Sequence, residues 1–183
     1  FAGTYFPPDD NYGRPGFSKV LIQLGEAYRT QKQELLDTAE NIFKTLTKQI
    51  NTLVTPTTLD RNALERAARQ LYANFDTLNG GLGSQPKFPH ATELSLFLRF
   101  YKRSGDLRFL QGAELALKNM ARGGIYDQIG GGFHRYSTDS SWLVPHFEKM
   151  LYDNALLVPT YADAYQITKN DFYLKVIRET LDF

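Results

Sequence analysis

The sequence predicts an all-α fold built from helical hairpins stacked into a toroid or solenoid. Three observations lead there. Apolar residues recur at helical spacing through most of the 183 residues. Glycine and proline clusters cut the chain into helices joined by alternating short and long connections. The long connections, not the helices, carry the dense polar and aromatic sequence, as expected when functional loops gather at one end of stacked hairpins.

Phe1 to Gly16 (FAGTYFPPDDNYGRPG) reads as the last part of a strand, FAGTYF, followed by a loop. A helix is expected from about Phe17, with Val20, Leu21, Leu24 and Tyr28 on one face, and a second carries Leu35, Leu36, Ala39, Ile42, Phe43, Leu46 and Ile50. The Thr-rich break at 51–58, with Pro56, is the best boundary, so 1–52 and 53–183 are the expected domains. A helix then starts near Leu59, capped by Thr57 or Thr58, with Leu64, Ala67, Leu71 and Phe75 inward. The loop NGGLGSQPKFP (79–89) ends it. The next helix carries Leu94, Phe97, Leu98 and Tyr101, and Gly105 stands where a C-terminal glycine belongs. Another spans about Asp106 to Arg122 and stops at Gly123–Gly124. A long helix is expected from about Pro145 to Thr168, because proline is tolerated in a first turn. Pro159 should kink or break it. A last helix begins near Asp171. The chain opens on Phe1 rather than Met and stops within a helical pattern, so it reads as cut at both ends.

Composition narrows the partners. Apolar content of 42% and charged content of 22% are ordinary for a globular domain. A net charge of +1 gives no electrostatic case for nucleic acid or an anionic membrane. No apolar run reaches the ~20 residues of a membrane span, and the expected location is the cytoplasm. With no cysteine, thiolate chemistry and zinc–sulfur sites are impossible in this segment. Eleven Tyr and thirteen Phe suit a sugar-binding pocket or an aromatic core.

The stretch Gly123 to Asn154, GGIYDQIGGGFHRYSTDSSWLVPHFEKMLYDN, holds two of three histidines and the only tryptophan. At the start of the helix predicted from Pro145, His146 and Glu148 lie about 160° apart. They serve one site only because side chains splay around the first turn, whose free N–H groups also favour an oxygen-bearing ligand. They are the candidate acid and base. The bland alternative has Glu148 complementing the helix dipole and His146 packing on the core. Upstream, Gly130 to Gly132 free the backbone, and His134, Arg135, Tyr136, Asp139 and Trp142 are expected to line a cleft, with the indole as a stacking surface. The alternative there is a β-hairpin packed on the helices. Lys87 reaches the same end of the fold or belongs to a structural turn. Asp127 and Asp153 complete the expected ligand-binding set. The 79–89 loop has no GK[ST] and the triple glycine no flanking strand and helix, so nucleotide binding is rejected. No two histidines stand at i, i+4, and neither metal nor cofactor is expected.

The motifs GGLGSQPKFP, GGIYDQIGGGFHRYSTD and W-x-VPHFEKMLYDNA together resemble one family. It is the thioredoxin-domain-containing family that includes spermatogenesis-associated protein 20 and its bacterial relatives. The opening FAGTYFPP with GRPGF is similar to the tail of that family's thioredoxin-like α/β domain. The resemblance implies a protein several times longer, in which that domain precedes an (α/α)6 toroid related to sugar epimerases and glycosidases. This chain would hold the end of the first domain and the first part of the toroid. The redox cysteines would lie before Phe1, so no redox activity carries over. The implied function is acid/base chemistry on a sugar or polyol, epimerase- or glycosidase-like, with this fragment inactive alone. The competing reading is a non-catalytic interaction scaffold. Bare helix faces imply self-association of the fragment.

Overall fold

The computed structural model describes residues 5–11, 13–52, 60 and 62–183, and the chain divides into two compact units, Phe1–Thr58 and Leu59–Phe183. In the first unit, α1 (Phe17–Thr30) and α2 (Lys32–Thr52) are separated by Gln31 alone. Asp10 fixes the approach to α1: its carboxylate accepts the Gly16 N–H at 2.7 Å and pairs with Lys19 at 2.6 Å. The helical spacing is as expected, but of the apolar face only Val20 is buried, whereas Leu21, Leu24, Tyr28, Ile42, Phe43, Leu46 and Ile50 are exposed. Tyr5 and Phe6 form no strand, and the rest of the expected strand, Phe1 to Thr4, lies outside the described residues.

The second unit holds α3 (Ala63–Ala73), α4 (Ala91–Ser104), α5 (Leu107–Arg122), α6 (Leu151–Thr168) and α7 (Asp171–Asp182). The break at 53–58 and the proposed caps Thr57 and Thr58 lie outside the described residues. Two connections of two residues each close the pairs α4/α5 and α6/α7, and α4 also packs on α3 and α6. Gly105 takes the left-handed conformation (φ 74°) and gives its N–H to the Tyr101 carbonyl, which ends α4 as its position predicted. Asp106 and Asn170 then start α5 and α7 by accepting the N–H groups of Arg108 and Phe172. Phe97 and Phe109, both essentially buried, meet edge to face at 5.3 Å, with Tyr72 and Phe75 around them. Across the pairs, the Tyr161 hydroxyl donates to the Leu117 carbonyl at 2.7 Å, and the Thr160 hydroxyl to the Ala91 carbonyl at 3.2 Å. These bonds join α6 to α5 and α4, so the second pair is held by satisfied buried polar groups as well as by apolar contact.

Two expectations are corrected here. The helix does not begin at Pro145 but at Leu151, because 144–148 spends its backbone groups on residues 135–138 instead of on a first turn. Pro159 does not break it: α6 runs unbroken from Leu151 to Thr168. Among the described residues the only β structure is a set of isolated bridges, so the fold class is all-α.

Candidate functional site

Those bridges build the site. Three extended segments lie side by side: Lys87 and Ser137 exchange both backbone bonds (2.8 and 2.9 Å), and Thr138 donates to Val144 on the other side. His146 then donates to the Tyr136 carbonyl at 2.9 Å and Arg135 to the Glu148 carbonyl at 2.7 Å. Facing residues across an antiparallel pair bring their side chains together. The imidazole of His146 therefore stacks on Tyr136 at 4.7 Å, and the Arg135 guanidinium meets Glu148 at 3.2 Å. His146 Nδ1 lies 3.7 Å from the same Glu148 oxygen. Tyr136 also packs on Phe88 at 5.0 Å, which continues the aromatic layer.

The segments are held by groups that sequence reading gave to a ligand. Trp142 is fully buried, with its backbone in the left-handed region (φ 68°) and its indole N–H donating to the Asn79 carbonyl. It is a core residue and not a stacking surface. Gly81 must be glycine here, because a Cβ at its φ of 89° would press on the indole. Lys87 is likewise fully buried, bonded to Asp76 (2.6 Å) and the Ser140 carbonyl (2.9 Å), with its ammonium 5.0 Å from the Trp142 ring. Its partner Asp76 resists burial because Lys87 and the Asn79 and Leu78 N–H groups hold its carboxyl well below the usual carboxylate range. Asp139 accepts the Ser141, Leu143 and Val144 N–H groups and the Ser137 and Ser141 hydroxyls, which likewise outweigh burial and depress its pKa. Asp127 accepts from Gly130 and Ile129 and pairs with Lys149 at 2.7 Å, and these donors lower its pKa too. Lys87, Asp127, Asp139 and Trp142 are thus spoken for by the loop that positions the site.

His134 stands apart from the His146 cluster. Its ring meets Phe147 edge-on at 5.3 Å, its buried Nδ1 has no partner, and burial with the Lys149 charge lowers its pKa. Asp153, in the first turn of α6, is half-buried, and burial raises its carboxyl pKa against the opposing charge of Arg135. Asn154 ties this helix to the site by clamping both backbone groups of Phe133 (2.7 and 3.1 Å). His146, Glu148, Arg135 and Tyr136 therefore share one place, with Asp153 within reach of the Arg135 charge. His146 and Glu148 are 46% and 42% exposed, so a ligand can reach both. An imidazole beside a carboxylate that a guanidinium anchors is equipped to move a proton, and the arginine suits hydroxyl or anionic groups.

Three neighbours escaped the sequence reading: Phe88, His90 and Glu93. The signal was His90, the third histidine, just after Pro89 and three residues before Glu93 at the start of a helix. Among the described residues no three His, Asp or Glu side chains are arranged to hold a metal ion, and no helix is long and apolar enough to cross a membrane.

A family described as a protein of unknown function, DUF255 (Thioredox_DsbH), matches residues 1–47. Spermatogenesis-associated protein 20 of Homo sapiens is 41% identical over 190 aligned residues, covering all of this chain and 24% of that protein. The chain thus spans about a quarter of the length of the curated relatives it matches. A sugar epimerase from a ruminal bacterium superposes with a TM-score of 0.55 at 16% identity, over 67% of this chain and 33% of that one. The GH76 α-mannanase of Bacteroides thetaiotaomicron gives 0.54 at 19%, over 64% and 35%. The chain resembles the family read from its motifs along its whole length, and about two thirds of it has the fold of part of an (α/α)6 toroid.

Proposed function

We propose that this chain supplies part of a sugar-binding acid/base site in a longer toroid protein, with His146 and Glu148 as the proton-transfer pair. The observation that carries the reading is the convergence of His146, Glu148 and Arg135 at 3.7 and 3.2 Å on an accessible surface beside stacked aromatic rings. A non-catalytic scaffold has no need to set an imidazole against an arginine-anchored carboxylate in the open. Arg135 aligns Glu148 through their 3.2 Å ion pair, His146 exchanges the proton, and Tyr136 supports the imidazole plane. The sugar epimerase and mannanase folds supply the substrate class by analogy alone.

The test uses the intact protein with a panel of monosaccharides and disaccharides, followed by NMR of the anomeric protons. A sugar is expected to be converted, and His146→Ala should lower kcat about 10²- to 10⁴-fold. Turnover unchanged in that variant removes His146 from the mechanism. No binding and no conversion of any sugar leaves the scaffold reading standing.

A further inference from the structure

Beside the His146 cluster lies a cavity of about 270 Å³, walled by Phe88, His90, Glu93, Asp153 and Leu156. We propose that it takes a second sugar ring, so that the ligand is a disaccharide or longer saccharide and not a monosaccharide. This rests on the sugar-site reading above. The volume lies just under the roughly 300 Å³ at which drug-sized pockets begin, which is room for one sugar ring. The cavity joins the first site through one aromatic layer, since Phe88 packs on Tyr136 and Tyr136 on His146. Arg135 bonds Glu148 on one side while its charge acts on Asp153 on the other.

Two polar groups of this cavity, His90 Nε2 and the Asp153 carboxyl, are left over for a ligand. His90 sits at the N-cap of α4 in the left-handed conformation (φ 49°, ψ 49°) and caps nothing with its side chain. A non-glycine residue there is strained, and such strain gathers at binding sites. Its Nδ1 lies 3.1 Å from Glu93 Oε1, while the Thr92 hydroxyl donates to the other Glu93 oxygen at 2.7 Å. Burial opposes the Glu93 charge, but these donors keep its carboxyl below the ordinary range. An ionised carboxylate can only accept, so it takes a proton bond from His90 Nδ1 and leaves Nε2 free to bond a hydroxyl. Among the described residues nothing donates a hydrogen bond to the Asp153 carboxyl. Pro89, Ala91 and Leu156 add apolar surface, and the Thr160 bond to the Ala91 carbonyl fixes it in place. Apolar surface with a few fixed acceptors is what the two faces of a sugar ring need. A monosaccharide on His146 and Glu148 would leave His90 Nε2 and the Asp153 carboxyl unused.

The experiment is calorimetry on the intact protein with two pairs of probes, D-glucose against cellobiose and D-mannose against α-mannobiose. At least one disaccharide should bind about tenfold more tightly than its own monosaccharide. His90→Asn, which keeps a residue tolerant of the left-handed region, and Phe88→Ala, at a ring already 39% exposed, should each bring that ratio close to one. Far-UV circular dichroism checks that both variants fold. Monosaccharide binding with no disaccharide advantage overturns the second ring and spares the first site, as does a variant that keeps the wild-type ratio. Binding of none of the four sugars overturns both.

Discussion

Lys87 is a cation with no access to solvent, compensated by one carboxylate, one carbonyl and the face of an indole. Removing one partner of a buried pair leaves the other uncompensated, a loss of about 3–5 kcal/mol. Lys87→Met should therefore lower the midpoint of urea unfolding sharply, and a midpoint equal to wild type would contradict the assignment. The depressed pKa values of Asp76, Asp127 and Asp139 set a pH window with a definite sign. A carboxyl held lower in the folded state binds fewer protons there than when unfolded. Its contribution is full above the unfolded value of about 3.9 and fades as pH falls toward the folded value. The Tm should thus be steady above about pH 5 and fall below about pH 4, and a Tm that rises on acidification would refute these bonds. Residue types alone did not reveal any of this. Trp142, Lys87, Asp127 and Asp139 are the kinds of residue that bind sugars, and the sequence does not say whether such a side chain faces a ligand or its own loop. Here each meets a partner on its own loop or one up to 63 residues away, as Trp142 meets Asn79.

Among the elements, the arm 144–148 decides the site. Its bonds to 135–138 replace the helix that Pro145 suggested, and they bring His146 onto Tyr136 and Glu148 onto Arg135. Gly124 makes room for it, because a Cβ there would press into the Leu143 carbonyl oxygen. Gly124→Ala should displace the arm, costing about 1–3 kcal/mol as overpacking does. Sugar conversion by the intact protein should fall with it, and an unaltered rate and Tm would show that the contact is dispensable. The elements with local signals were the legible ones. α4 and α5 have periodic apolar faces, a left-handed glycine at one end and an aspartate cap at the next start. The arm had no such signal, because its partners are carbonyl and N–H groups on another segment, and backbone groups are the same in every residue. His146 and Glu148 were legible as an imidazole and a carboxylate in one short motif, but they come together on extended backbone and not on a helix turn.

For the molecule as a whole, the apolar face of α1 and α2 is the open question. Ile42, Phe43, Leu46 and Ile50 are each more than half exposed, and contiguous apolar surface of this kind drives association. Expressed alone, the 183-residue chain should show a mass that rises with concentration in light scattering, and Phe43→Glu should lower it. A strictly monomeric chain would mean that this face tolerates water. The second unit carries a further property in its single indole. Trp142 is locked between the Asn79 carbonyl and the Lys87 ammonium, beneath the strip that bears His146. Fluorescence from that unit therefore has one tryptophan source, planted at the junction of loops far apart in the chain. Its emission colour is an intrinsic gauge of whether those loops have docked, readable without any label and before any substrate is known.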